Sequence, residues 1–478
     1  MTTATKSSVK EYIHYIITAL IIFGFPLLPN IGTITDEGMV ILGAFIGAIY
    51  GWSFIDMLWP SILAIFSMGL ELGVGTVVAA GLGNQVTWML IFLYIIIGIL
   101  TDAKIIDVII GFFLTRKLFV KYPVLLMGTV LFVNLLCSMF NGFGAEVIFL
   151  ALIFEMCRMF DIKPFSKFPV VFGIGIALTS AVAAIMLPFQ GTAVLMLSAW
   201  TGITGETLNY ATYMATAFPI AIFMIVIFLL IARFVLRVDF SVLQGFDAEK
   251  LGISNKKLNG EQKLAVVMLV WMILNLMLPS FLPAEWSLTK FLNNLTVFGQ
   301  VALPIVFFMV VKYQGKRVIN FEDIAKRYIP WQIFLMMGVI MPLSSFLTAD
   351  STGIKEFMTG LTEPLLSLGT FGFLIIMMVS TVILTNFANN AVVGMIMMPV
   401  IYAFSLSNNA LSTSAAVMIL IFCTHFAFLT PGATPYAAIM FGNTKWIKAK
   451  LVYKYGIIII VLLFICTLPV AYFWSNLM

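Results

Sequence analysis

Charged residues are scarce in this chain of 478 residues, where Asp, Glu, Lys and Arg together make up 10% of the sequence. Soluble domains carry roughly 25% charged residues, so this composition excludes a soluble globular protein. Hydrophobic residues make up 62% of the chain and lie in long runs, which predicts an all-α polytopic membrane protein surrounded by lipid. The net charge of +5 then reflects membrane topology, and we do not expect a nucleic-acid partner.

Histidine and cysteine are also rare, with two and four residues respectively. The cysteines Cys137, Cys157, Cys423 and Cys466 lie in or beside apolar segments without CxxC spacing, so neither a disulfide framework nor a metal centre is expected. A membrane-embedded enzyme would need paired acids, a His/Asp cluster or a metal set, and the sequence has none of these patterns at membrane depth. We therefore expect that the protein is not an enzyme and has no organic cofactor.

About eleven segments are long and apolar enough to be transmembrane helices. Most are uninterrupted: Tyr12–Pro29, Gly38–Asp56, Leu58–Ala80, Val86–Thr101, Ala211–Leu236, Leu264–Leu282, Val297–Val311, Ile329–Leu347 and Gly456–Trp474. The first lacks a small-residue cleavage site, which indicates a signal anchor that is not removed. Phe168–Trp200 and Ala410–Gly442 are too long for one helix and are predicted to be broken, the former around Leu187–Gly191.

Two further apolar runs are interrupted near their middle by amide and small residues. Pro123–Phe160 is interrupted at Asn141–Gly144, and Leu365–Phe404 is interrupted within Leu384–Ala391. Irregular backbone is tolerated at membrane depth only where it is buried in protein or lines a cavity. Each run is therefore predicted to be a re-entrant hairpin whose tip lies at a binding site.

The distribution of basic residues predicts an orientation. With the N-terminus in the cytoplasm and both interrupted runs folded back as hairpins, 24 of the 26 Lys and Arg residues fall on the cytoplasmic side. Only Lys290 and Lys355 fall outside. A full crossing by either hairpin would scramble this bias. We expect a multi-pass protein of the inner or plasma membrane with a cytoplasmic N-terminus and an external C-terminus.

The two halves of the chain follow the same plan with opposite topology, because each has a hairpin followed by a broken helix. Corresponding interrupted segments in two inverted repeats mark the midplane binding site of secondary transporters. The predicted units are residues 1–37, an N-terminal span and loop; 38–236, the first repeat with hairpin 123–160 and broken helix 168–200; 237–263, a cytoplasmic linker; and 264–478, the second repeat with hairpin 365–404 and broken helix 410–442.

At these segments the chain resembles the divalent anion:sodium symporter (DASS) family of the ion-transporter superfamily. The family's hairpin motif is Ser-Asn-Thr with a proline nine residues after the asparagine, and Asn390 and Pro399 keep that spacing. The Ala-Thr-Pro of the family's second broken helix is present as residues Ala433 to Pro435. The stretch from Gly51-Trp52 to Trp59-Pro60 is similar to the opening of the family's repeat.

The hairpins depart from the family pattern at two points. The second has Asn389-Asn390-Ala391, without the hydroxyls that in the family help to hold a substrate carboxylate. The first has residues 142–144 where the motif is expected, with Asn141 two residues before the expected asparagine.

The resemblance implies an elevator-type carrier with scaffold and transport domains, a homodimer formed through the scaffold, and one sodium site in each hairpin. The family's second sodium site corresponds here to Thr385, Ala388, Asn390 and Ala433. In the first hairpin Ser138 is present, but Phe143 stands at the asparagine position. Sodium symport and sodium-independent exchange both stay open.

The predicted substrate is a small organic anion, foremost a di- or tricarboxylate. Helix dipoles, amides and co-bound cations would hold it, since the hairpin and break regions lack Lys and Arg at membrane depth. The candidate substrate ligands lie at the tips and breaks: Asn141, Gly142, Gln190, Gly191, Thr192, Asn389, Asn390, Thr434 and Pro435. Alternatively, the tip amides are packing groups that bond across a helix interface.

Glu146 is an acidic residue at membrane depth on the return arm of the first hairpin. An intramembrane carboxylate is a functional hypothesis by default. Three roles of Glu146 remain open: it carries a proton, it holds a cation in place of the first sodium site, or it pairs with a backbone group as a structural residue. A cation/proton antiporter that uses Glu146 is the alternative function. His425 is expected to form a helix–helix hydrogen bond.

Overall fold

The computed structural model describes residues 5–189, 191–255, 257–408 and 410–477. The first half contains α1 (Thr5–Gly24), α2 (Asp36–Phe54), α3 (Trp59–Leu72), α4 (Val74–Ala80), α5 (Gln85–Asp102), α6 (Ile105–Leu114), α7 (Lys117–Val120), α8 (Pro123–Met159), α9 (Lys167–Ala183), α10 (Gly191–Thr204) and α11 (Tyr210–Leu230). The second half contains α12 (Gly260–Phe281), α13 (Ser287–Val310), α14 (Phe321–Tyr328), α15 (Trp331–Phe346), α16 (Ile354–Thr362), α17 (Gly369–Thr385), α18 (Asn390–Ser407), α19 (Thr413–Cys423), α20 (Pro435–Gly442) and α21 (Ala449–Leu477).

Short elements connect these helices. A π-helical turn, Ile231–Val235, follows α11 directly. Short 3-10 helices span Phe25–Leu27, Ser241–Leu243, Glu249–Leu251, Asp350–Thr352 and Glu363–Leu368. Two short strands, Lys312–Tyr313 and Lys316–Arg317, pair in antiparallel register with Lys312 opposite Arg317.

Nine helices in the described segments are long and apolar enough to cross a membrane, or up to ten if the bent pair α14–α15 counts as one span. This confirms the prediction of an all-α polytopic membrane protein. The predicted count of about eleven covers a different set of helices. The nine include α8, α17 and α18, which belong to the predicted hairpins, whereas the predicted spans at α1, α3 and the two broken helices consist of apolar helices that are each shorter than a membrane crossing.

Helices α5, α11 and α12 begin at asparagine caps. Asn259 and Gln262 form a reciprocal capping box at the start of α12. The Gln262 side chain also donates to the Ala103 carbonyl at 2.9 Å, which ties the start of α12 to the end of α5. Asn84 and Asn209 accept hydrogen bonds from the first turns of α5 and α11.

Helix α8 folds back on itself at Asn141, whose backbone (φ −148°, ψ 82°) is not helical. The first arm runs parallel to α9, because Leu131 contacts Gly175 and Ser138 lies beside Ser180. The return arm runs the other way. Its Phe154 stacks on Trp446, whose carbonyl accepts from the Phe165 backbone just before α9 begins. The two arms therefore form the first predicted hairpin.

Helices α17 and α18 form the second hairpin, with residues 386–389 as its tip. The rings of Phe373 and Phe404 stack with centroids 3.7 Å apart, which places the start of α17 beside the end of α18. At the same level Thr370 Oγ1 lies 3.5 Å from Asn408 Oδ1. The two helices are therefore antiparallel.

Each hairpin is followed by a broken helix. The first break separates α9 from α10, and the second break, Thr424–Thr434, separates α19 from α20. Helix α9 lies at the centre of the fold, since every residue from Phe168 to Ala183 is buried. Helix α10 packs on the second hairpin, where the Met196 side chain fills the space above Gly394.

Two irregularities were not predicted. The predicted span Leu58–Ala80 consists of two helices that meet at Gly73, whose φ is +84°. The predicted span Val297–Val311 is the second part of α13, which begins at Ser287 and is kinked at Thr296 (φ 54°, ψ 176°). Hydropathy gives no sign of the break at Gly73 because mostly apolar residues follow it, whereas the kink at Thr296 lies where the polar stretch from Lys290 to Asn294 gives way to the apolar run predicted as the span.

Candidate functional site

The predicted sodium ligands of the second hairpin meet the second break. Thr385 Oγ1 lies 2.8 Å from Asn390 Oδ1 and 2.6 Å from the carbonyl oxygen of Thr424. Thr385 is fully buried and Asn390 nearly so. A hydroxyl has one proton and can donate to only one of these two acceptors. Three oxygens that share one proton are a suitable environment for a small hard cation.

The other two predicted sodium ligands offer only backbone carbonyls. Ala433 is buried within the second break and packs with Ala427 and Ala437. Ala388 is half-buried at the hairpin tip, where its amide donates to the Leu384 carbonyl. The structure thus places Ala388 in the tip and Ala433 in the break that this tip contacts.

Asn386 is the residue that sequence analysis missed. Its Nδ2 donates to the carbonyls of Val382 and Phe426, both at 2.8 Å, and its Oδ1 accepts from the amides of Phe428 at 3.1 Å and Leu429 at 2.8 Å. The side chain is 3% exposed. These bonds replace the backbone hydrogen bonds that are lost where the helices are interrupted. Asn386 therefore holds the hairpin tip against the second break, a contact that we call the latch.

The two hairpin tips have matching helix caps. Asn389 Oδ1 accepts from the Ala391 amide at 2.9 Å and caps α18. Asn141 Oδ1 accepts from the Gly144 amide at 3.0 Å and caps the return arm of α8. Both predicted substrate ligands thus use their amide oxygens inside the tip. Asn141 Nδ2 also lies 3.4 Å from Thr101 Oγ1 on α5.

The matching caps align the two hairpins residue by residue. The offset that relates Asn141 to Asn389 also relates Gly142 to Asn390 and Cys137 to Thr385. Gly142, and not Phe143, therefore takes the place of Asn390. The first hairpin has no side-chain oxygen at either of the positions where the second has Thr385 and Asn390.

Ser138 belongs to a different polar cluster. Its Oγ lies 3.2 Å from Ser180 Oγ and 3.4 Å from Asn134 Oδ1. Asn134 in turn donates to Thr179 Oγ1 at 2.7 Å and to the Ile176 carbonyl. This buried cluster joins the first arm of the hairpin to α9, about one turn away from the tip. Asn134 was not predicted, although its position four residues before Ser138 was a signal for a shared helix face.

Glu146 is completely buried, and both of its carboxylate oxygens lack a hydrogen-bond partner among the described residues. It lies one turn after Gly142 on the return arm, near Tyr436. The Tyr436 hydroxyl covers Gly142 so closely that an added Cβ would lie 2.5 Å from it, and the Tyr436 ring stacks on Phe143. An acid in this position requires a proton or a cation for neutralisation.

The first break supplies two more predicted substrate ligands. Gly191 has a φ of +57°, and an added Cβ would lie 2.4 Å from the Ala184 carbonyl, so only glycine fits. Thr192 Oγ1 lies 2.6 Å from His425 Nε2, which links the start of α10 to the second break. The predicted ligand Gln190 lies outside the described residues.

Thr434 and Pro435 begin α20. Thr434 Oγ1 accepts from the Ala437 amide at 3.0 Å and donates to the Ala427 carbonyl at 3.1 Å. Pro435 occupies the first helical position, where its missing N–H costs nothing. The second break and the start of α20 are thus contacted by both hairpin tips, by Thr192 and by Thr434. This region forms the centre of the candidate site.

A large cavity lies away from these residues. It has a volume of about 540 Å³ and lies between α10, α12, α13 and α15. Pro188 of the first break and Ser198 line it, but none of the predicted substrate ligands does. Its lining is uncharged and includes the amide side chains of Asn84, Gln85, Asn293 and Gln300.

The described segments contain no group of three or more His, Cys, Asp or Glu side chains placed to hold a metal ion. The four cysteines are free thiols.

The family model described as "Citrate transporter" matches residues 13–407 of the chain. Among solved structures, the YdaH transporter of Alcanivorax borkumensis, whose report describes an unusual topology, is 14% identical, with a TM-score of 0.58 over 86% of this chain and 89% of that one. At this identity the likeness concerns the fold alone. No curated protein sequence matches the chain significantly.

Proposed function

Because this chain belongs to the citrate transporter family, we propose that it carries small organic anions, foremost di- or tricarboxylates such as citrate, across the cell membrane. Transport is secondary and active, by sodium symport or by anion exchange. An elevator-type movement of the hairpins and broken helices, a homodimer and a cytoplasmic N-terminus belong to the same proposal.

The observation that carries the proposal is the meeting of the second hairpin with the second break. Thr385, Asn390 and the Thr424 carbonyl bring three oxygens together at the N-terminus of α18. Oxygen ligands suit sodium, and the positive end of a helix dipole suits an anion. The first hairpin has no equivalent oxygens at the aligned positions, so we expect one sodium site and not two.

The test is uptake of labelled citrate and succinate into proteoliposomes under three conditions: an inward sodium gradient, no sodium, and internal unlabelled dicarboxylate. Uptake that requires sodium supports the symporter, and uptake that requires only internal anion supports the exchanger. Absence of uptake of either anion in all three conditions would refute the carboxylate assignment while leaving the fold unaffected.

The second candidate function is cation/proton antiport, and the buried carboxylate of Glu146, which has no hydrogen-bond partner among the described residues, favours it. An antiporter would dissipate an imposed pH gradient when sodium or potassium is added in the absence of any organic anion. A pH-sensitive dye trapped in the same proteoliposomes measures this directly. Proton movement that depends on citrate would instead favour an anion carrier.

Replacing Glu146 by glutamine tests the role of this carboxylate in either function. The amide fills the same space and stays neutral, so we expect unchanged yield and Tm. Because it cannot bind a proton or a cation in the same way, we expect transport to fall about tenfold and its pH dependence to vanish. Glu155→Gln, on the exposed end of the same arm where Glu155 pairs with Arg158, is the matched control. Unchanged transport with an unchanged pH profile would mean that Glu146 is structural.

A further inference from the structure

His425 is the buried link between the two broken helices. Only 1% of it is exposed, yet each ring nitrogen has partners. Nε2 lies 2.6 Å from Thr192 Oγ1 in the first turn of α10, and Nδ1 lies 2.9 Å from the Ile421 carbonyl in α19. Nδ1 also lies 3.0 Å from Thr424 Oγ1. One side chain thus joins segments that are more than two hundred residues apart in the sequence.

The hydrogen-bond partners define the proton positions. A carbonyl only accepts, so the bond to Ile421 requires a proton on Nδ1. In the neutral ring Nε2 is then an acceptor, and the Thr192 hydroxyl donates to it. The Thr192 hydroxyl therefore points at His425 and is not available as a donor to a substrate anion. Its contribution to the site is indirect.

The residue next to His425 supplies an oxygen of the candidate cation site. The Thr424 carbonyl lies 2.6 Å from Thr385 Oγ1, while the Thr424 hydroxyl contacts the His425 ring. The Thr424 side chain also approaches the sulfur of Met196 on α10 at 3.9 Å. A shift of the start of α10 would thus move the ring of His425 and, through Thr424, one wall of the cation site.

We propose that His425 is a positioning residue that couples cation binding at Thr385, Asn390 and the Thr424 carbonyl to the placement of the α10 N-terminus. This inference rests on the proposed function, because it concerns how the cation-binding part and the anion-binding part of one transport site are connected. Cation binding fixes the position of the Thr424 carbonyl and, with it, the position of the adjacent His425 ring. Through its hydrogen bond to this ring, Thr192 then keeps the free amides of the first turn of α10 directed toward the anion.

Two substitutions break the same bond from opposite ends. Thr192→Val removes the hydroxyl at nearly constant shape, and His425→Asn keeps a donor for Ile421 but is too short to reach Thr192. For each variant, citrate uptake is measured to obtain the KM for citrate and the sodium concentration for half-maximal uptake. We expect both constants to rise about tenfold in each variant. The double variant should be no worse than either single one, because the bond can be lost only once. Thr192→Ser restores the hydroxyl and should return both constants to near the wild-type values.

The competing explanation is that His425 only packs two helices together. In that case protein yield, Tm or maximal rate would fall while both constants stay unchanged, and the effects of the two substitutions would multiply in the double variant. Either result would overturn the coupling role of His425. The same conclusion would follow if the wild-type protein exchanged anions without any dependence on a cation. Failure of the wild-type protein to transport citrate and succinate is a different result, because it would refute the proposed function itself.

Discussion

Replacing Asn386 by leucine is expected to abolish transport and to lower the Tm of the purified protein by many degrees. The side chain satisfies the carbonyls of Val382 and Phe426 and the amides of Phe428 and Leu429. Leucine has a similar volume but no polar atom, so the backbone groups of the break would stay buried and unpaired. Each unpaired group costs about 1–3 kcal/mol, and their sum is comparable to the roughly 5–15 kcal/mol by which domains are stable.

The matched control is Asn389→Ser in the same tip. Asn389 uses its oxygen to cap α18, and serine supplies an equivalent cap oxygen, so the expected loss is below about 1 kcal/mol. Thermal unfolding in detergent and uptake in proteoliposomes measure both effects. If Asn386→Leu kept the Tm and the uptake rate of the wild type, the latch between tip and break would contribute neither to stability nor to transport.

The fold was predictable from the sequence because a membrane protein leaves strong signals in composition. Long apolar runs gave the spans, and the amide and glycine residues around Asn141 and Asn389 marked both hairpin tips. The resemblance to the DASS symporters of the ion-transporter superfamily is confirmed by the family match. The break at Gly73 was not predicted because the sequence around it is mostly apolar, and the kink at Thr296 was not predicted because the polar residues before it, Lys290 to Asn294, indicate a loop instead of the first part of a helix.

The candidate site was predictable only in outline. Asn386, Asn389 and Asn390 are chemically identical amides within five residues, and composition cannot tell which one caps a helix, which one bonds the break and which one faces Thr385. Those roles depend on helix phase and on residues more than thirty positions away, such as Phe426 and Thr424. Glu146 likewise lacks a hydrogen-bond partner within the described segments because of its tertiary surroundings, which the sequence does not reveal.

The two hairpins differ in a way that bears on ion coupling. Both have an asparagine cap at the tip, but only the second places a hydroxyl and an amide oxygen against a carbonyl of its broken helix. At the aligned positions the first hairpin has Cys137 and Gly142, neither of which offers a hard side-chain oxygen. Any sodium dependence of transport should therefore arise from the second hairpin.

Replacing Thr385 by valine is accordingly expected to raise strongly the sodium concentration that uptake requires. Valine has nearly the same shape, so the tip should still fold, but the cation site loses the oxygen that lies between Asn390 and the Thr424 carbonyl. Loss of a supporting ligand typically lowers metal affinity by 10–100-fold, and for a direct ligand we expect about a hundredfold rise in the sodium concentration for half-maximal uptake.

Thr381→Val, one turn earlier on α17, separates this effect from the general cost of losing a buried hydroxyl. Thr381 is also fully buried, but its hydroxyl donates only to the Met377 carbonyl within its own helix. We expect it to leave the sodium dependence intact. A sodium titration of citrate uptake compares the wild type with both variants at equal protein density. If Thr385→Val and Thr381→Val shifted the titration equally, the oxygens around Thr385 would be helix-packing groups, and the coupling cation would have to bind elsewhere, with Glu146 as the remaining buried candidate.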